Sequence, residues 1–169
     1  MYVFDASPLI VLATADRLDL VTSLAGPCCL PASVSAEVVE AGIEGGYTDA
    51  RRLEQAIEAD LLTVRPDPDT ALADRLARFD RLSHADVSVL ALAAQHDGVA
   101  VMDEQSGRTV AEIEAIPTRG TAYLVLHAQQ QGDIDAAEAK TVVGELVDAG
   151  WYCSPALHAS LLDKIAELG

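Results

Sequence analysis

Four carboxylates in this sequence, Asp5, Glu37, Asp86 and Asp103, fall where strand ends and helix starts should converge, and Glu104 follows the last directly. Two carboxylates about 4 Å apart repel by about 4 kcal/mol at an effective dielectric of about 20. Three or four together disrupt a fold unless protons or cations offset them. Oxygen-only donors select hard cations such as Mg²⁺ or Mn²⁺. Such ions activate water and stabilise the charge that builds on phosphate oxygens during in-line displacement. As a set, these residues point to phosphodiester hydrolysis.

Each acid also has a plainer reading. Asp5 ends the apolar run Tyr2–Asp5 and could be a turn or capping residue. Ser7 is expected to supply the helix N-cap instead, with Pro8 at the first helical position. Glu37 lies in an expected helix, Pro31–Glu40, whose apolar face at about 100° per residue is Val34, Val38 and Ala41. Glu37 sits at the edge of that face and Glu40 points further toward water, so Glu37 is taken as the inward acid. Asp86 closes Ser83-His84-Ala85-Asp86, which has capping-box spacing, and both readings stay open. Asp103 ends the strand Val99–Met102 and could cap the next helix, although Ser106 competes for that place. Glu104 either reaches the same pocket or faces water.

The elements that would position these acids alternate along the chain. Expected strands are Tyr2–Asp5, Cys28–Leu30, Leu61–Val64, Val99–Met102 and Ile116–Thr118, with Trp151–Cys153 as a short edge strand. Between them run helices Ser7–Ala15, Arg17–Leu24 (a continuation or a second helix), Pro31–Glu40, Thr48–Glu58, Thr70–Arg81, His84–Gln95 and Ser106–Ile113. Thr121–Gln131, Asp135–Ala149 and Ser154–Leu168 complete the helical set. Strands separated by helices imply a mainly parallel sheet in a three-layer α/β/α sandwich. The expectation is one domain over 1–169, with 132–169 as a helical C-terminal extension packed on it. In such sheets ligands bind beyond the carboxyl ends of the strands, where Asp5 and Asp103 fall.

Acids number 27 against 11 bases, a net charge of -16, which repels polyanions at ordinary ionic strength. A basic partner is one explanation. The preferred one is adaptation to a salty cytoplasm, where screening shrinks to a few Å. No apolar run approaches the ~18 residues of a membrane span, and the first residues lack the basic start of a signal peptide, so a cytoplasmic location is expected. Cys28, Cys29 and Cys153 have no metal spacing, and the adjacent pair reads as strand filler. No glycine-rich loop precedes a lysine, which argues against a P-loop hydrolase. Arg75, Arg78 and Arg81 fall three apart and would share a helix face, either as a solvated stripe or as a contact for phosphate or a partner protein.

Four stretches carry a family likeness: Phe4–Ile10, Pro31–Val39, Leu82–Ala93 and Val101–Arg108. Together they resemble the PIN-domain ribonucleases, in particular the VapC-like branch. Arg119-Gly120-Thr121 and Ala149–Pro155 are similar to that branch too. The resemblance implies a metal-dependent endoribonuclease acting on RNA, with one or two Mg²⁺ or Mn²⁺ ions. It implies Asp5, Glu37 and Asp86 as ligands, Asp103 or Glu104 as the fourth, and Ser7 as a hydrogen-bonding neighbour of the first acid. Many relatives are toxins with a small antitoxin protein, and homodimers are common among them. The same fold also serves ribosomal-RNA processing, or persists as a catalytically inactive protein-binding module.

Overall fold

Short apolar runs make the strands, and their pairing sets everything else. The computed structural model describes residues 1–169. The strands are β1 (Tyr2–Phe4), β2 (Cys28–Pro31), β3 (Thr63–Arg65), β4 (Val99–Val101) and β5 (Thr118–Arg119). They form one sheet in the order β3-β2-β1-β4-β5, and every pairing is parallel. Val3 pairs with Cys29 on one side and Ala100 on the other, so β1 is the central strand. The chain builds outward through β2 and β3, then crosses to β4 and β5. The crevice between β1 and β4 is therefore the topological switch point, where open parallel sheets take ligands.

The helices are α1 (Ala6–Thr14), α2 (Ala32–Ser35), α3 (Ala41–Glu44), α4 (Thr48–Glu58), α5 (Ala71–Leu76), α6 (His84–Gln95), α7 (Gln105–Ile113), α8 (Thr121–Gln131), α9 (Ala136–Asp148) and α10 (Pro155–Leu168). Residues Asp86 to Ala93 of α6 are all buried, as expected of a helix that is apolar all round. It lies across β1, β2 and β4, with α5 and α7 against it. On the other side α1 packs on α4 and on a 3-10 turn, Leu18–Ser23. That turn also receives α8, which carries α9 and α10. A single cluster of 43 buried apolar residues runs from Val3 to Ile165, so the last helices share the core of the sheet. The result is an α/β/α sandwich around a parallel sheet.

Several expected boundaries shift, each for a local reason. Asp5, and not Ser7, occupies the N-cap position of α1, with φ -82 and ψ 165, and Ser7 is exposed on the first turn. Pro8 still fits, because N–H groups of a first turn lack helical acceptors in any case. The helix after β2 continues to Glu44 through a π segment, Ala36–Glu40. Its wider turn buries Val38 and Val39 together and leaves Ala41 exposed, so the face drawn from a 3.6-residue period is displaced. The helix expected over 70–81 stops at Leu76. Phe79 and Leu82 then close successive tight turns on the carbonyls of Leu76 and Phe79, which brings both side chains onto the core. Arg75, Arg78 and Arg81 consequently share no helix face. Trp151–Cys153 is not a strand: Gly150 takes φ +100, and the N–H of buried Trp151 closes the end of α9 on the Leu146 carbonyl.

One loop acid holds the front of the sandwich together. Asp67, between β3 and α5, accepts from the Ser33 N–H (3.0 Å) and hydroxyl (2.9 Å) on α2 and faces His84 Nε2 (3.3 Å) on α6. Burial opposes its charge, but the two Ser33 donors and then His84 hold its carboxyl below the usual range. Its stabilising contribution is present above the ordinary value of 3.8 and is lost as pH falls through the lowered one. Asp67→Ala should cost about 1–2 kcal/mol in urea unfolding at pH 7. That difference should shrink toward pH 3, and equal midpoints at pH 7 would contradict the tie.

Candidate active site

Asp5 leaves the end of β1 and is 5% exposed. Its N–H donates to the Val101 carbonyl (2.9 Å), which locks it against β4. Although it stands at the N-cap of α1, its side chain makes no capping hydrogen bond. Burial pushes its carboxyl from an ordinary 3.8 up to about 7; the Ala6 N–H works the other way, while the charges of Asp86, Glu37 and Glu104 raise it further. Asp5 therefore experiences three other carboxylates, each from a different element.

Asp86 arrives from the first turn of α6 and is also 5% exposed. The capping box is complete: the Ser83 N–H donates to Asp86 Oδ2 (2.7 Å) and the Asp86 N–H donates to Ser83 Oγ (3.1 Å). The capping reading of Asp86 therefore holds, and the residue also lines the cleft beside Asp5. One oxygen caps the helix and fixes the rotamer, while Oδ1 takes no protein hydrogen bond. Glu37 comes from the π segment, a kind of helical irregularity often found at functional sites. It is exposed, yet it lines the same cleft, whereas Glu40 does not.

Asp103 and Glu104 part company after β4. Successive side chains of extended backbone point to opposite sides. Asp103 turns toward β5, where the Thr121 N–H (2.8 Å) and hydroxyl (2.6 Å) both donate to it, so it caps α8 from across the sheet edge. Gly120 permits this approach, since a Cβ there would lie 2.8 Å from Asp103 Oδ1. Asp103 is accordingly outside the acid cleft. Glu104 turns to the cleft and accepts from Ser106 Oγ (2.8 Å).

The cleft holds about 230 Å³ and is lined by Asp5, Ser7, Glu37, Asp86 and Glu104, with Arg81 at its rim. Arg81 belongs to no salt bridge. Arg75 is removed from the site: its guanidinium grips Glu114 with two hydrogen bonds, 3.1 and 2.6 Å. Arg78 lines no part of the cleft. Cys28 and Cys29 are buried in β2 and their thiols are pushed up by that burial. What the spacing of residues did not expose was Asp67, Ser33 and the Asp103–Thr121 cap. The only trace of the last in the sequence was the Arg119-Gly120-Thr121 motif.

A family model described as a PIN domain (DUF3368) matches residues 1–167. The chain belongs to the PIN-domain family. Comparison with curated proteins and with solved structures gives no match. PIN domains are generally nucleases, commonly dependent on a divalent metal. The donor set of this PIN domain suits such an ion in kind, being all oxygen and strongly negative. No group of three or more His, Cys, Asp or Glu side chains is drawn together as a ready ligand cage. Mg²⁺ does not require one, because it keeps several waters and is held by one or two carboxylates. No helix is long and apolar enough to cross a membrane.

The raised Asp5 value has a sign that can be checked. The folded chain holds this proton more tightly than the unfolded one, so metal-free stability should fall as pH rises from about 4 to about 7. The ionised form carries a burden on the order of 4 kcal/mol above that window. Asp5→Asn should therefore unfold at a higher temperature than the parent at pH 8 in chelator, and the gap should close near pH 4. Adding Mg²⁺ or Mn²⁺ should raise the parent's midpoint and leave the variant's nearly still. A less stable variant in chelator at pH 8 would refute the account of Asp5 as a carboxylate burdened by burial and by its acidic neighbours.

Proposed function

We propose that this PIN domain is a divalent-metal-dependent endoribonuclease that hydrolyses RNA phosphodiester bonds at the Asp5 cleft. The observation that carries the reading is a buried carboxylate, Asp5, under the charge of three others, Asp86, Glu37 and Glu104. A fold gains nothing from that arrangement by itself. These four residues would hold Mg²⁺ or Mn²⁺. The bound ion supplies a lowered water pKa and positive charge against phosphoryl oxygens. Asp86 enters with its orientation already fixed by Ser83, which limits the entropy lost on engagement. Ser7, on the first turn of α1, lines the cleft and would offer its hydroxyl as a hydrogen-bonding neighbour of Asp5. Arg81, free of ion pairs at the rim, offers a guanidinium to a phosphate.

Within this reading the protein acts in the cytoplasm as the toxin of a toxin–antitoxin pair, as a homodimer. Support for a protein partner comes from a groove of about 470 Å³ that shares Glu37 with the cleft and is lined by Ile10, Val38 and Tyr47. Tyr47 is 63% exposed there. An antitoxin segment laid in that groove would end against the acids.

The test is cleavage of single-stranded RNA by the full chain in Mg²⁺ or Mn²⁺, at low and high KCl, because the acidic surface is read as an adaptation to salt. Activity should drop by at least about 100-fold in Asp5→Asn and Asp86→Asn. Glu104→Gln should weaken the heat of Mn²⁺ binding, and Asp103→Asn should not. RNA left intact under every condition, with no carboxylate-dependent Mn²⁺ heat, would leave the fold as a protein-binding module. Growth arrest on expression, relieved by Asp5→Asn, separates a toxin from a ribosomal-RNA-processing enzyme with the same chemistry.

A further inference from the structure

A groove leads away from the acid cleft along the carboxyl edge of the sheet. Ser7 and Glu104 line both the cleft and the first stretch of the groove, about 580 Å³. Asp103 and Tyr152 line both that stretch and a second, about 780 Å³, which ends at Arg108 and Arg119. Adjacent stretches thus share wall residues all the way from the Asp5 cleft to the arginines.

Three features of this groove call for an occupant. Tyr152 is 86% exposed, yet it is not on a loose loop. On one side Trp151 is buried and bonded to the Leu146 carbonyl (2.9 Å); on the other Ser154 caps α10 through the Leu157 N–H (3.2 Å). The backbone that carries this exposed ring is thus anchored on both sides. Arg108 and Arg119 are the second feature. Neither has a carboxylate partner within salt-bridge distance, as is also true of Arg65, Arg78 and Arg81, but these two line one groove. Arg119 is held over the Tyr123 ring (5.0 Å) and donates to the Thr118 carbonyl (2.8 Å). Arg108 Nη1 lies beside Gly120, 2.8 Å from where a Cβ would stand. Third, of the two carboxylates lining the far stretch, Asp103 is occupied by Thr121, which leaves Glu112. An exposed aromatic ring and two guanidinium groups free of ion pairs, lining one groove, are suited to a base and its phosphates.

We propose that this groove holds the single-stranded RNA flanking the scissile phosphate, with one base stacked on Tyr152 and backbone phosphates on Arg108 and Arg119. The proposal rests on the nuclease reading for the position of the scissile bond, but it concerns binding and can fail separately. Stacking tolerates any base, so the groove fixes the path of the strand and not its sequence. Two phosphate contacts predict a salt-dependent affinity.

The probe is a fluorescein-labelled single-stranded oligoribonucleotide of mixed sequence, read by anisotropy on the full chain carrying Asp5→Asn so that it stays intact. Tyr152→Ala should weaken binding on the order of tenfold, and Tyr152→Phe should restore it. Arg108→Gln and Arg119→Gln should each lower the slope of log affinity against log salt by about 0.7. In the cleaving parent, Tyr152→Ala should raise KM, and unchanged melting temperatures should exclude misfolding. Binding equal to the parent in all three variants overturns the groove, even where the parent cleaves RNA. Groove-dependent binding by a parent that cleaves nothing in Mg²⁺ or Mn²⁺ supports the groove and removes the nuclease reading. A dimer that Tyr152→Ala dissociates in sedimentation, with RNA affinity unchanged, overturns the proposal in favour of a contact between copies of this chain.

Discussion

Like charges brought together at a nearly dry point govern this molecule. Asp5 is buried at the end of the central strand, and three other carboxylates act on it from α6, the π segment and the turn after β4. The burden on its charged form, set first by burial and added to by those neighbours, is large enough to matter against the 5–15 kcal/mol by which domains are stable, to order of magnitude. It is tolerated because Glu37 and Glu104 stay solvated on the open side and because Asp5 can keep its proton. A divalent ion offers the same relief without the proton. The sheet order makes the convergence unavoidable, since β1 and β4 are neighbours whose successors must leave at one shared edge.

Capping and chemistry draw on the same residues at that edge. Every parallel strand delivers its chain to a helix N-terminus, where unpaired N–H groups and the helix dipole favour a carboxylate. Asp86 satisfies its helix with one oxygen and faces Asp5's field with the other free of protein donors. Asp103 satisfies α8 with both oxygens. Asp5 occupies a capping position without a capping hydrogen bond, with only the adjacent Ala6 N–H favouring its charge. Three aspartates in equivalent settings thus differ in how many lone pairs the protein claims, and this separates a structural acid from one available to a ligand.

The basic residues repeat that distinction. Arg17, Arg51, Arg52 and Arg75 are drawn into ion pairs with the abundant acids. Arg65, Arg78, Arg81, Arg108 and Arg119 escape pairing, and of these Arg81, Arg108 and Arg119 line the cleft or the groove beside it.

The alternation of strands and helices was legible in the sequence because each apolar run is short and bounded by Gly, Pro or a cap. Thr48–Glu58, His84–Gln95 and Thr121–Gln131 fall where their patterns place them. Misplaced elements were those whose form depends on distant packing: the π segment, the turns that bury Phe79 and Leu82, and the Trp151 stretch. Among the acids, position after a strand marked Asp5 and Asp103 alike, and position at a helix start marked Asp86, with its capping and site readings both open. Nothing local distinguished Asp103 from Glu104, because that choice depends on Thr121, 18 residues away, reaching back across the sheet edge. The sequence alone determined which elements form and that acids end the strands, since those follow from neighbours along the chain. Which carboxylates meet was decided only by tertiary structure, because a lone pair's partner is set by distance in space.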